Sequence, residues 1–241
     1  MEEKLKLIFR EPRSILVLKS AIFGGFLFLL KLGDFGILPI LFFLCIAFVL
    51  SSKAHHASFL ILLVVSMITI WILDSALFLF LAIILFSALF YLTVGIKELL
   101  FVHRWEWNFI KNLLLFFAIF LLFFLSDKSS YFAIKYLSVF LASFWLLREW
   151  FFTPELSFFK KPKLVSLVLA FLLAQFLWAV ALLPLGPINA AGLMILISYV
   201  LIDFLSHHFR GTITRKLVFR NIALFVLLLV LILGTAQWEI R

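Results

Sequence analysis

Nine apolar runs, each close to the length that crosses a bilayer as a helix, alternate with short charged joints along this 241-residue chain. Hydrocarbon about 30 Å thick needs about 20 predominantly apolar residues at the helical rise. The predicted spans are Ser14 to Leu30, Phe35 to Ser51, Ala57 to Leu73, Ser75 to Ile96, Phe109 to Leu125, Ser130 to Leu147, Leu164 to Leu183, Ile188 to Ser206 and Leu217 to Thr235. Phe supplies 33 residues and charged residues only 14%, a balance foreign to a water-soluble domain of this size. Lipid offers the backbone no hydrogen-bond partner, and the runs lack the alternation of a barrel strand. The expectation is therefore an all-α, polytopic transmembrane helical bundle, a single integral membrane domain over residues 1–241.

Two of these spans form one apolar stretch broken only by Asp74-Ser75, too long for a single crossing, and Asp74 is suited to cap the helix that follows. Gly33-Asp34-Phe35-Gly36 and Pro184-Leu185-Gly186-Pro187 read as tight turns. The segment from Arg148 to Lys161 is too aromatic for a solvated linker and is expected in the headgroup layer. Lys97-Glu98-Leu99-Leu100-Phe101 echoes Arg148-Glu149-Trp150-Phe151-Phe152, the mark of a duplicated hairpin or of a recurrent way to end a helix at the inner surface.

Orientation follows from the Lys and Arg residues of alternate joints. Sixteen fall on one side, including Lys97, Arg104, Lys111, Arg148, Arg215, Lys216 and Arg220, and only Lys31, Lys128 and Arg241 on the other. Lys19 and Lys135 lie about one turn inside a span and can snorkel. The net charge of +9 thus belongs to one face, which places the N-terminus inside and the C-terminus outside in a cell membrane of the bacterial inner-membrane type. Anionic lipid accounts for this basicity, and no nucleic-acid partner is expected. All tryptophans except Trp178 sit near span ends, as an aromatic belt requires. Cys45, the only cysteine, lies in the second span and can form no intrachain disulfide.

Candidate chemistry is confined to two places. His55, His56, His103, His207 and His208 all fall in inner joints, near Glu98, Arg104, Asp203 and Arg210. Were the inner helix ends to meet, these side chains would make a cytoplasmic-face cluster for a metal or a lipid phosphate. Asp203 and His207 stand i, i+4, so the carboxylate can orient the ring. Gly211 is expected to end that helix, Thr212 or Thr214 to cap the next, and Arg210, Arg215 and Lys216 to form either a headgroup clamp or a topology anchor. Gln175, with Trp178 one turn on, is the candidate midplane polar site, or else an interhelical hydrogen bond beside a packed ring.

Other deep polar groups, such as Ser66, Thr69, Ser138, Ser166 and Ser198, are suited to bond a neighbouring carbonyl. No ionisable group is predicted at the midplane, which weakens a permease reading. A zinc-protease helix, a Gly-x-Ser-x-Gly nucleophile and a phosphate loop are absent, so no particular cofactor is implied. The sequence from Gln175-Phe176-Leu177-Trp178 through Leu183-Pro184-Leu185-Gly186-Pro187 to His207-His208-Phe209-Arg210-Gly211-Thr212-Ile213-Thr214-Arg215-Lys216 resembles uncharacterised multispanning membrane proteins of small-genome bacteria. That resemblance covers the last third of the chain and implies no activity. The expected role is a membrane-embedded assembly or binding protein whose partners are membrane lipids and other membrane proteins. A cytoplasmic-leaflet lipid-handling protein or metal-dependent enzyme comes second, and a small-solute permease third.

Overall fold

The computed structural model describes residues 12–33, 56–97, 104–126, 132–151, 162–209 and 211–235. Eight helices run through them: α1 (Pro12–Leu32), α2 (His56–Ile72), α3 (Ala76–Lys97), α4 (Arg104–Leu125), α5 (Phe132–Phe151), α6 (Pro162–Ala181), α7 (Pro187–Phe209) and α8 (Arg215–Gly234). No strand occurs among the described residues. Prolines open α1, α6 and α7, where the missing N–H would have had no intrahelical partner.

Six of the eight, α1, α3, α4, α6, α7 and α8, are long and apolar enough to cross a membrane. The chain is thus a multi-pass helical membrane protein by composition and length, although six clear spans do not establish nine. The predicted second span, Phe35 to Ser51, lies outside the described residues. The apolar part of α2, Ala57–Ile72, is shorter than a full crossing. Helix α5 is long enough but carries Lys135, Arg148 and Glu149. Elsewhere the helices overrun the apolar windows: α4 begins at Arg104 instead of Phe109, and α7 continues to Phe209. Hydropathy locates hydrocarbon, whereas a helix continues into the headgroup layer until a cap or turn stops it.

The chain divides into two compact units, Met1–Asn112 and Leu113–Arg241, with the boundary inside α4. In the first, α1, α2 and α3 pack on one another. Phe23 of α1 stacks on Phe90 of α3 with ring centroids 4.6 Å apart, and Phe59 of α2 tilts against the same ring at 5.6 Å. Close approach depends on Gly24, where an added Cβ would lie 2.5 Å from Ser87 Oγ. At one end of this unit Lys31 Nζ meets the carboxylate of Asp74 at 3.3 Å, joining two residues predicted on the same outer surface.

In the second unit, α5 packs on α6, α6 on α7 and α7 on α8. Small buried side chains, Ala170 and Ala174 on α6 and Ala190 and Ala191 on α7, permit near approach of backbones, which is how helices associate where lipid removes the hydrophobic drive. The turn between α6 and α7 is closed by Leu182 N–H to Ala179 O and Leu183 N–H to Val180 O. Buried hydroxyls bond within their own helices as expected: Ser66 to Leu63 O, Thr69 to Val65 O, Ser166 to Pro162 O and Ser198 to Met194 O, all at 2.7–3.0 Å. The outward faces are the reverse of a soluble protein's. Phe78, Phe80 and Leu81 on α3 and Phe219, Leu227 and Val230 on α8 are all more than half exposed, tolerable only where the surrounding medium is apolar.

The α1–α3 contact yields a direct test. Gly24→Val should cost about 1–3 kcal/mol by forcing the helices apart, whereas Gly25→Val, on the same helix with open space around it, should be nearly silent. Unfolding in a mild detergent series, followed by helical circular dichroism, measures both.

Candidate functional site

The joint between α7 and α8 is built by a helix stop that the sequence signals clearly. Gly211 adopts φ +65, the left-handed region that a side chain resists. Its N–H bonds His208 O at 3.0 Å, and Thr212 N–H bonds His207 O at 3.0 Å, the paired closure that ends a helix on glycine. Of the two threonines considered for capping α8, Thr214 does so, its hydroxyl accepting from Leu217 N–H at 3.3 Å. Thr212 turns back instead. Its Oγ1 lies 2.9 Å from His207 Nδ1 and its hydroxyl donates to His207 O at 3.4 Å.

Asp203 is the centre of this site. Helix α8 returns along α7, and Asn221 Nδ2 donates to Asp203 Oδ2 at 2.8 Å, with Arg220 Nη2 3.7 Å from the same oxygen. His207 Nε2 stands 3.7 Å from Asp203 Oδ1, close enough for attraction when the ring is protonated but too long for a hydrogen bond. The i, i+4 pairing is therefore present, yet Thr212, not the carboxylate, fixes the ring. Asn221 is the buried residue of α8, and its Oδ1, like the buried Ser206 Oγ, has no hydrogen-bond partner among the described residues. Sequence reading overlooked Asn221. A signal existed, since Asp203 and Asn221 lie nine residues either side of Thr212, so a helical hairpin centred there brings them level.

A second polar constellation, in the first unit, was not anticipated. Lys111 of α4 is 1% exposed, and its Nζ donates to Ser58 Oγ of α2 at 3.0 Å. Asn108 and Asn112, also buried, share its face, with Asn112 Nδ2 donating to Asn108 Oδ1 at 3.3 Å. The sequence places Lys111 on the basic, inner side, two residues into the predicted fifth span. Because α4 starts at Arg104, Lys111 instead lies two turns into a helix on a buried stripe that continues through Leu115, Phe116, Ile119, Phe120 and Phe123. A charged group inside a membrane protein is costly to bury and marks a place where polar contact is required. Asp203 and Arg220, which meet at 3.7 Å, were both predicted on the inner side, as was Lys111.

His55, Glu98, His103 and Arg210 lie outside the described residues, and His56 and Arg104 are described only as the first residues of α2 and α4. His208 is exposed and meets the ring of Phe209 edge-on at 5.5 Å. Gln175 and Trp178 sit on an exposed face of α6, Trp178 being 56% exposed, and so enclose no midplane cavity between them. Among the described residues, no three His, Cys, Asp or Glu side chains come together as a metal site.

Replacing Asn221 with Leu removes a buried donor to a carboxylate and should lower stability by about 1.5–3 kcal/mol, while Ile222→Leu beside it should have little effect. Gly211→Ala should cost about 1 kcal/mol from its backbone conformation alone, since nothing within 4 Å would obstruct the new methyl. Detergent-unfolding midpoints of the three variants against wild type check both. No family model, curated protein or solved structure matches this chain.

Proposed function

We propose that this chain is a membrane-embedded assembly or binding protein of the bacterial inner-membrane type, with its Lys- and Arg-rich joints on the cytoplasmic side. Its partners are lipids and other membrane proteins. The observation that carries this reading is the contrast between the faces of α8. Toward α7 it presents Asn221 and Arg220 to Asp203; outward it presents Phe219, Ile222, Val226, Val230 and Leu231, all more than half exposed. Helix α8 is the least buried of the six clear spans, which makes it the natural surface for a neighbouring transmembrane helix. A lipid-handling role comes second, favoured by the exposed Arg215 and Lys216 at the start of α8, the helix that carries Arg220 and Asn221 to Asp203.

Two measurements test this reading. Cysteines placed at Thr214 and at Ser75 should be labelled by an impermeant maleimide from opposite sides of the membrane, Thr214→Cys from the cytoplasm. Labelling of both from one side refutes the topology. A photo-crosslinking phenylalanine at Phe219 or Val230, irradiated in intact cells, should give a discrete protein adduct. Adducts to lipid alone at both positions, with a control position on α3 behaving identically, would remove the assembly role.

A further inference from the structure

The two oxygens of Asp203 are treated differently. Oδ2 is held by Asn221 Nδ2 and faces Arg220, whereas Oδ1 faces His207 Nε2 across 3.7 Å. The Thr212 hydroxyl can donate either to Nδ1 at 2.9 Å or to the His207 carbonyl at 3.4 Å, and in the second case its oxygen accepts a proton carried on Nδ1. In that tautomer Nε2 of the neutral ring is an acceptor, and it confronts a second acceptor. Two acceptors at this separation are reconciled by a donor that reaches both. Asn221 Oδ1 and Ser206 Oγ, buried nearby in sequence and without hydrogen-bond partners among the described residues, add further acceptor capacity. The first turns of α8 expose three cations, Arg215, Lys216 and Arg220, the last of them 3.7 Å from Asp203 Oδ2. The joint therefore offers acceptors for a positive group next to cations for a negative one.

We propose that the α7–α8 joint binds a molecule pairing a primary ammonium with a phosphate. The ammonium donates to Asp203 Oδ1 and His207 Nε2, and the phosphate lies against Arg215 and Lys216. An ammonium has three donors and can satisfy both acceptors at once, and a phosphate matches the exposed cations. A bare divalent cation fits less well, because Asp203 and His207 are only two ligands of the usual kind and no group of three occurs among the described residues. The chemistry is that of a phosphatidylethanolamine headgroup or of free phosphoethanolamine. This inference rests on the reading that the joint lies at a membrane surface, where the headgroup is the abundant source.

The test uses the full chain in nanodiscs of phosphatidylglycerol mixed with either phosphatidylethanolamine or phosphatidylcholine, followed by native mass spectrometry after mild delipidation. The quaternary ammonium of phosphatidylcholine has no N–H to donate, so wild-type protein alone discriminates. Phosphatidylethanolamine should be retained about tenfold better, the loss expected when a charge-assisted hydrogen bond is removed. Asp203→Asn and His207→Phe should lower its retention about as much, and Gln175→Leu should not. Saturable binding of free phosphoethanolamine, with no lipid retained, assigns the same chemistry to a soluble molecule. Equal retention of the two lipids, or retention unchanged in both site variants, overturns the proposal. Failure to enter nanodiscs at all would instead refute the membrane-embedded reading on which it rests.

Discussion

Hydrocarbon supplies no hydrogen-bond partner, and that constraint orders the whole molecule. It forces the apolar runs into helices, because only a helix satisfies its own backbone within one segment. It also turns the surface outward in the unusual sense, so that Phe, Leu and Val face the medium. Hydroxyls such as those of Thr69 and Ser198 are absorbed by carbonyls one turn back. Groups too large or too charged for that solution, Asp203 and Lys111, find partners on a neighbouring helix. Each such contact fixes which residues of two helices stand level, a stronger constraint than apolar packing, where neighbouring registers cost little.

The sequence reading succeeded where the signal was local. Apolar length alone found each of the eight described helices, and Gly211 and Thr214 behave at the α7–α8 joint as a helix stop and a cap do in any protein. It failed where the outcome depends on which helices meet. Asn221 is an ordinary polar residue until α8 folds back on α7 and places it opposite Asp203. The burial of Lys111 was not legible because it depends on α2 packing against α4; with α4 starting at Arg104, Asn108, Lys111 and Asn112 share a buried face. The proposed histidine cluster draws on several joints, of which the described chain shows only the one around Asp203.

The α7–α8 joint differs from a mere topology anchor in its arrangement. Basic residues would suffice to hold a joint at the cytoplasmic surface. They do not explain a carboxylate held by a buried amide on one oxygen while its other oxygen faces an imidazole whose position is set by Thr212. Such fixing of first contacts by second ones is how proteins prepare a polar site for a ligand. The apolar outer face of α8 lies on the opposite side of the same helix from Asn221.

The central claim is that α8 is a lipid-embedded helix with one polar residue turned into the protein. A nitroxide scan along it tests that claim most directly. Labels at Val226 and Val230 should collide with dissolved oxygen and not with a water-soluble nickel chelate, while a label at Asn221 should be shielded from both. Ready collision of the nickel chelate with labels at Val226 and Val230 would contradict it.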